Sequence, residues 1–198
     1  MLVAAFGDSH IGSYASKIDG ATGLNARLID CVNSLRFVAT DAQERGAQAL
    51  LMAGDLFRSC KPSPTELVLA TGALQAFRRP IWAIPGNHDL PRSASESNAL
   101  DPLPDIGLLS QPERVPGAVL GGCQLAVLPY PNRASLAAAL PDYNKLSPEE
   151  ADSLISAHVA SILRGLAAEI DPSKPSILLA HISIDAAELG AERGIMAG

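Results

Sequence analysis

Apolar runs and helically spaced apolar residues alternate along this chain. Leu2 to Phe6 is a short apolar run closed by Gly7-Asp8, and it reads as a buried strand. Residues 23–45 instead space Leu24, Leu28, Val32, Leu35 and Val38 as one face of a helix, with Gly46 placed to end it. A second apolar run at 48–53 is followed by Gly54-Asp55. Residues 64–78 open on Pro64-Thr65-Glu66 and continue helically, and a third strand at 81–85 leads into Gly86-Asn87-His88-Asp89. This strand–helix–strand–helix–strand order predicts an α/β fold whose neighbouring strands run parallel.

Residues 90–118 are rich in Pro, Ser, Asp and Gly and predict a long surface connection. Two apolar stretches around Gly121-Gly122, within 119–130, predict a hairpin or a pair of strands. Ser147-Pro148-Glu149-Glu150 has the form of a capping box with proline at the first helical position, and the helix it starts is expected to reach about residue 170. Asp171 to Pro175 breaks it, Ser176 to Ala180 forms a last strand, and His181 follows at once.

Composition narrows the class. Of 198 residues, 47% are hydrophobic and 18% charged, which suits a soluble globular chain, and the length favours one domain spanning 1–198. Aromatics make up 4%, so the core has to be aliphatic. No apolar run is long enough to span a membrane, and the N-terminus lacks the basic segment and long apolar stretch of a signal peptide. Cys31, Cys60 and Cys123 are odd in number and widely spaced; a disulfide framework or zinc knuckle is not expected, and a cytoplasmic location is. The net charge is −6: residues 1–99 carry 9 basic and 9 acidic side chains, and residues 100–198 carry 6 and 12. Such a chain is a poor candidate for tight, metal-free, nonspecific DNA binding, so a phosphate substrate has to be drawn in locally.

The chemistry lies in position. Four strands are each followed by polar residues able to bind a metal: Asp8 and His10, then Asp55, then Asn87 and His88, then His181. The C-terminal ends of parallel strands share one edge, and ligands bind there. Two metals close together need a bridging carboxylate to offset their repulsion, and Asp55 is the candidate. Mixed carboxylate, imidazole and amide ligands suit Mn²⁺, Fe or Zn²⁺ better than Mg²⁺ or Ca²⁺. His88 lies one residue beyond a ligand, placed to act on the phosphate as general acid or hydrogen-bond donor. Asp8-Ser9-His10, Gly54-Asp55 or His181 alone more often marks a turn, a cap or a core histidine; their ordered occurrence at strand ends carries the reading. His158 falls within the last predicted helix and reads as structural. Arg58, Lys61 and Arg92 flank the motifs as candidate phosphate-steering cations, although solvated surface charge is the commoner role.

The series Asp8-Ser9-His10, Gly54-Asp55, Gly86-Asn87-His88-Asp89 and His181 resembles the calcineurin-like metallophosphoesterases over most of the chain. The resemblance implies an α-β-β-α arrangement, a mixed β-sheet sandwich flanked by helices. It also implies two divalent metal ions, Mn²⁺ first among them, held by Asp8, His10, Asp55, Asn87 and His181, with His88 catalytic. His10-Ile11-Gly12, Gly54-Asp55-Leu56-Phe57 and Ala180-His181 resemble the SbcD branch in particular. That branch implies hydrolysis of DNA phosphodiester bonds by a metal-activated water, an SbcC-like ATPase partner and a homodimer. The family's closing Gly-His-x-His motif is absent: the four histidines are His10, His88, His158 and His181, and the expectation is a domain truncated before its last motif. Two other readings stay open, a phosphoesterase acting on a small molecule or a phosphoprotein, and a metal-poor inactive fragment.

Overall fold

The computed structural model describes residues 1–91, 96–131 and 143–183. Strands β1 (Val3–Phe6), β2 (Ala49–Met52), β3 (Ile81–Ala83) and β4 (Ile106–Leu108) form one sheet in that order, every neighbouring pair parallel. A second sheet holds β5 (Glu113–Leu120), β6 (Cys123–Leu128) and β7 (Ser176–Ala180), with β5 antiparallel and β7 parallel to the central β6. Helix α1 (Ala26–Glu44) connects β1 to β2, and α2 (Pro64–Leu74) connects β2 to β3. A 3₁₀ turn (Tyr143–Lys145) and α3 (Pro148–Ala168) lie between β6 and β7. The architecture is the expected α/β one, a parallel and a mixed sheet flanked by helices.

Side-chain alternation along the first sheet explains the layering. Leu50 and Met52 on β2 face one way, into a core with Leu28, Val32, Leu35 and Ala39 of α1 and Ala70, Ala73 and Leu74 of α2. Ala49 and Leu51 face the other way, into a second core with Val115, Leu125, Val127 and Leu179 of the mixed sheet. A strand buried on both faces has to be apolar throughout, which is why β2 reads as an unbroken run. β6 is also buried along its whole length, and its polar side chain, Gln124, is hydrogen-bonded.

The helix starts follow from local chemistry. Asn25 caps α1 through its side-chain oxygen, which accepts from the Leu28 N–H, so the helix begins three residues after the position its apolar spacing suggests. Ser63 with Glu66, and Ser147 with Glu150, form reciprocal capping boxes with proline in the first turn. Helix α2 stops at Leu74 rather than continuing to 78. The connection expected across 90–118 is only partly a loop, since β4 lies inside it and β5 begins at Glu113. β4 is three residues long with Gly107 at its centre, where a Cβ would overlap the Trp82 ring, so neither apolar run nor alternation announces it.

One buried polar residue ties the mixed sheet to the end of α3. Gln124 on β6 is 3% exposed. Its Nε2 donates to the Asp171 carbonyl at 2.9 Å, and its Oε1 accepts the Asp171 N–H at 2.9 Å. The amide thus satisfies both backbone groups of a residue that follows the helix and precedes β7. Gln124→Leu, which keeps the volume and removes both bonds, is expected to lower unfolding stability in urea by about 1–3 kcal/mol. A change within about 0.5 kcal/mol, the range of ordinary surface substitutions, would show the bridge to be dispensable.

Candidate metal centre

The strand ends converge because the loops that follow them stay in register. Beyond β1 and β2 the two chains keep pairing: Asp8 N–H donates to the Gly54 carbonyl at 3.1 Å, His10 N–H to Asp55 at 3.0 Å and Ile11 N–H to Leu56 at 2.8 Å. Tyr130 N–H donates to the Pro85 carbonyl at 3.1 Å, and His181 N–H to Leu128 at 3.0 Å, which brings the end of the mixed sheet onto the same rim. Asp8, His10, Asp55, Asn87, His88 and His181 are thereby brought together. His158 sits exposed on α3, outside this group. Lys61 is paired with Glu96 at 2.7 Å, and Arg92 lies outside the described residues.

Asp55 is the common member. His10 Nε2 is 3.9 Å from Asp55 Oδ2, His88 Nε2 4.0 Å and His181 Nε2 3.7 Å. Two overlapping groups of donor atoms, His10–Asp55–His88 and Asp8–Asp55–His181, each lie within 4.8 Å. Asp8 Oδ1 is also 3.7 Å from His10 Nε2. His88, anticipated as an acid rather than a ligand, is as near to Asp55 as His10 is, so distance alone does not separate their roles.

The lone pairs point inward. His181 Nδ1 lies 2.7 Å from the Ala53 carbonyl, which can only accept, so Nδ1 carries the proton of the neutral ring, whose Nε2 is then bare. That bare nitrogen faces Asn87 Oδ1 at 3.1 Å as well as the Asp55 carboxylate, an acceptor among acceptors. His88 Nδ1 is likewise set by the Arg58 carbonyl at 2.9 Å, which turns Nε2 toward Asp55. Nitrogen and oxygen lone pairs that meet with no hydrogen between them repel unless a cation joins them. The donor set therefore fits divalent metal ions, with imidazoles oriented by backbone carbonyls as metal-bound histidines usually are.

The backbone carries the strain of this convergence. Among the described residues, the non-glycine positions with positive φ are Asp8 at 54°, His10 at 44°, Asp55 at 52° and Asp105 at 60°; the first three belong to the site. Left-handed backbone costs a non-glycine residue energy and persists where surrounding contacts enforce it. At Asp55 the enforcing residue is Asp89, the last of the Gly-Asn-His-Asp series. It is fully buried and accepts the N–H groups of Asp55 at 2.7 Å, Gly86 at 3.0 Å and Phe57 at 3.3 Å. Burial pushes its carboxyl up to about 6, against the N–H groups of Gly86 and Phe57, which favour the charged form. Asp55 Oδ1 in turn accepts the His88 N–H at 2.9 Å, so the β2 and β3 loops hold each other.

Tyr14 adds support from below. Burial, with Cys31 beside it, raises its hydroxyl above the usual value. It therefore stays a donor, and it bonds the His10 carbonyl at 2.7 Å. Neither Asp89 nor Tyr14 carries an obvious sequence signal for these roles; Asp89 at least lies inside the motif, whereas a single Tyr after His10-Ile11-Gly12 does not stand out.

The sequence matches the calcineurin-like phosphoesterase family over residues 1–186, and the chain belongs to that family of metal-dependent phosphoesterases. Two curated proteins illustrate its range. Over 87 residues, 42% of this chain and 19% of the relative, it is 33% identical to the DNA double-strand break repair protein Mre11 of Archaeoglobus fulgidus. Over 89 residues, 45% of this chain and 30% of the relative, it is 35% identical to the glycerophosphodiester phosphodiesterase GpdQ of Enterobacter lignolyticus. The chain thus spans less than a third of the length of either relative.

Gly86 packs so closely on Asp55 that an added Cβ would overlap its carboxylate. Gly86→Ala is accordingly expected to displace Asp55 and weaken divalent-metal binding about 10- to 100-fold, the usual cost of disturbing a ligand's support. Unchanged affinity in calorimetric titration would mean that Asp55 does not depend on this contact.

Proposed function

We propose that this chain is the catalytic part of a two-metal phosphodiesterase acting on DNA. The observation that supports it most directly is the cluster of imidazole, amide and carboxylate donor atoms around Asp55, on a chain whose family hydrolyses phosphoesters. Asp8, His10 and Asp55 would hold one ion and Asp55, Asn87 and His181 the other, with Asp55 common to both sets. When bound, such ions activate a water nucleophile and neutralise charge developing on the phosphate. The chain supplies the rest. His181 is fixed by the Ala53 carbonyl and Asp55 by the His88 N–H, so the ligands pay little ordering entropy on binding. His88 keeps its Nδ1 proton on the Arg58 carbonyl; protonated, it presents an Nε2–H to the phosphate and can pass that proton to the leaving oxygen.

Both curated relatives act, by their names, on DNA or on a phosphodiester, which favours diesters over monoesters. The SbcD-like motifs favour DNA, Mn²⁺, an SbcC-like ATPase partner and a homodimer. A second reading, hydrolysis of a small glycerol-type phosphodiester, is favoured by the similarity to GpdQ and by the net charge of −6. Among the described residues, no helix is long and apolar enough to cross a membrane. Single-stranded DNA and glycerophosphodiesters offered side by side to the Mn²⁺-loaded protein distinguish the two readings: cleavage of the diester without cleavage of DNA would leave only the second.

Two substitutions separate the roles. Asp55→Ala is expected to remove both metals, because both share it. His88→Ala is expected to lower turnover of bis-p-nitrophenyl phosphate about 100- to 10 000-fold and to leave the metal content, measured by elemental analysis, as in the wild type. Metal loss from the His88 variant would make it a ligand rather than the acid.

A further inference from the structure

Arg58 is exposed, yet its side chain is anchored near the metal centre. Its backbone carbonyl receives His88, so its side chain starts from the residue that fixes the candidate acid. Its Nη1 donates to the Ser13 carbonyl at 3.2 Å, and its Cζ lies 4.2 Å from the centroid of the Tyr14 ring. The Cζ of Arg27 approaches the same ring at 6.0 Å. Tyr14 itself is bonded to the His10 carbonyl. Arg27 also lines a cleft of about 290 Å³ that runs along α1 from Asp8 and Ser9 and takes in Asp30.

Arg27 and Arg58 lack the counter-charge that several other cations have. Arg45, Lys61, Arg114 and Lys174 each face a carboxylate within ion-pairing distance. Among the described residues, none lies so close to the guanidinium of Arg27 or Arg58. Two cations drawn to one ring repel each other, and the ring offsets only part of this. An anion within reach of both would offset the repulsion, and a guanidinium stacked on an aromatic ring keeps its N–H edge free for a phosphate.

We propose that Arg58 and Arg27, braced on Tyr14, form a subsite for a second phosphate group of the substrate, adjacent to the phosphate held at the metals. This rests on the phosphodiesterase reading and sharpens it: the preferred substrates carry two phosphates in succession, as a nucleic-acid strand does. It also explains how a chain with a net charge of −6 draws in such a substrate, through two local cations rather than a basic face.

The test compares two chromogenic diesters on the Mn²⁺-loaded protein. One is thymidine 5′-(p-nitrophenyl phosphate), and the other is the same ester with an added 3′-phosphate. The wild type is expected to show a KM about tenfold lower for the two-phosphate ester, the effect of one good charge-assisted contact. Arg58→Ala should reduce that advantage to less than about twofold, Arg27→Ala should reduce it in part, and Arg58→Lys should retain part of it. Equal KM values in the wild type, or an advantage that survives Arg58→Ala, would overturn the subsite. Turnover of neither ester would overturn the phosphodiesterase reading itself and the subsite with it.

Discussion

A buried carboxylate with left-handed backbone, Asp55, stands where the loops from β1, β2 and β3 meet, and His181 reaches it from the end of β7. Much of the rim follows from holding this one group in place. Its N–H is fixed by Asp89, its Oδ1 by the backbone of His88, and its carbonyl by the N–H of His10. Its Oδ2 is left facing three imidazole nitrogens. Asp55 is 2% exposed, and a carboxylate so buried persists where hydrogen-bond donors or a cation satisfy it. The strain at Asp8, His10 and Asp55 and the buried Asp89 beneath them make sense together as a preorganised cation site.

The two cores serve this arrangement. The helix-facing core fixes the spacing of β1, β2 and β3, and so of the loops that carry Asp8, Asp55 and Asn87. The core between the sheets fixes the mixed sheet against the parallel one, and so places His181 beside Ala53. Gly54 and Gly86 allow the loops to touch: a Cβ on Gly54 would meet the Gly86 backbone at 2.7 Å and His181 Nδ1 at 2.7 Å. Glycine at both positions is a packing requirement of the site, separate from the turn at Gly54, whose φ is 95°.

Much of this was legible in the sequence. Apolar runs announced β1, β2, β6 and β7 because those strands are buried on both faces or lead directly into polar motifs, and the proline-bearing caps announced α2 and α3. The convergence of Asp8, His10, Asp55, Asn87, His88 and His181 followed from strand ends alone. What escaped was whatever depends on three-dimensional contact. β4 is too short for a pattern and contains Gly107; Asp89 resembles an ordinary turn residue until its three N–H partners are seen; and the cation pair on Tyr14 joins residues 14, 27 and 58, which no local spacing connects.

In the proposed centre a single carboxylate, Asp55, is shared between two neighbouring cations. Electron paramagnetic resonance of the Mn²⁺-loaded protein reads this directly. Ions bridged by Asp55 are expected to give a magnetically coupled pair spectrum at full loading, and Asp55→Asn to lose it. The simple six-line signal of isolated Mn²⁺ at every loading would show that no such pair forms, and would contradict the assignment of the site.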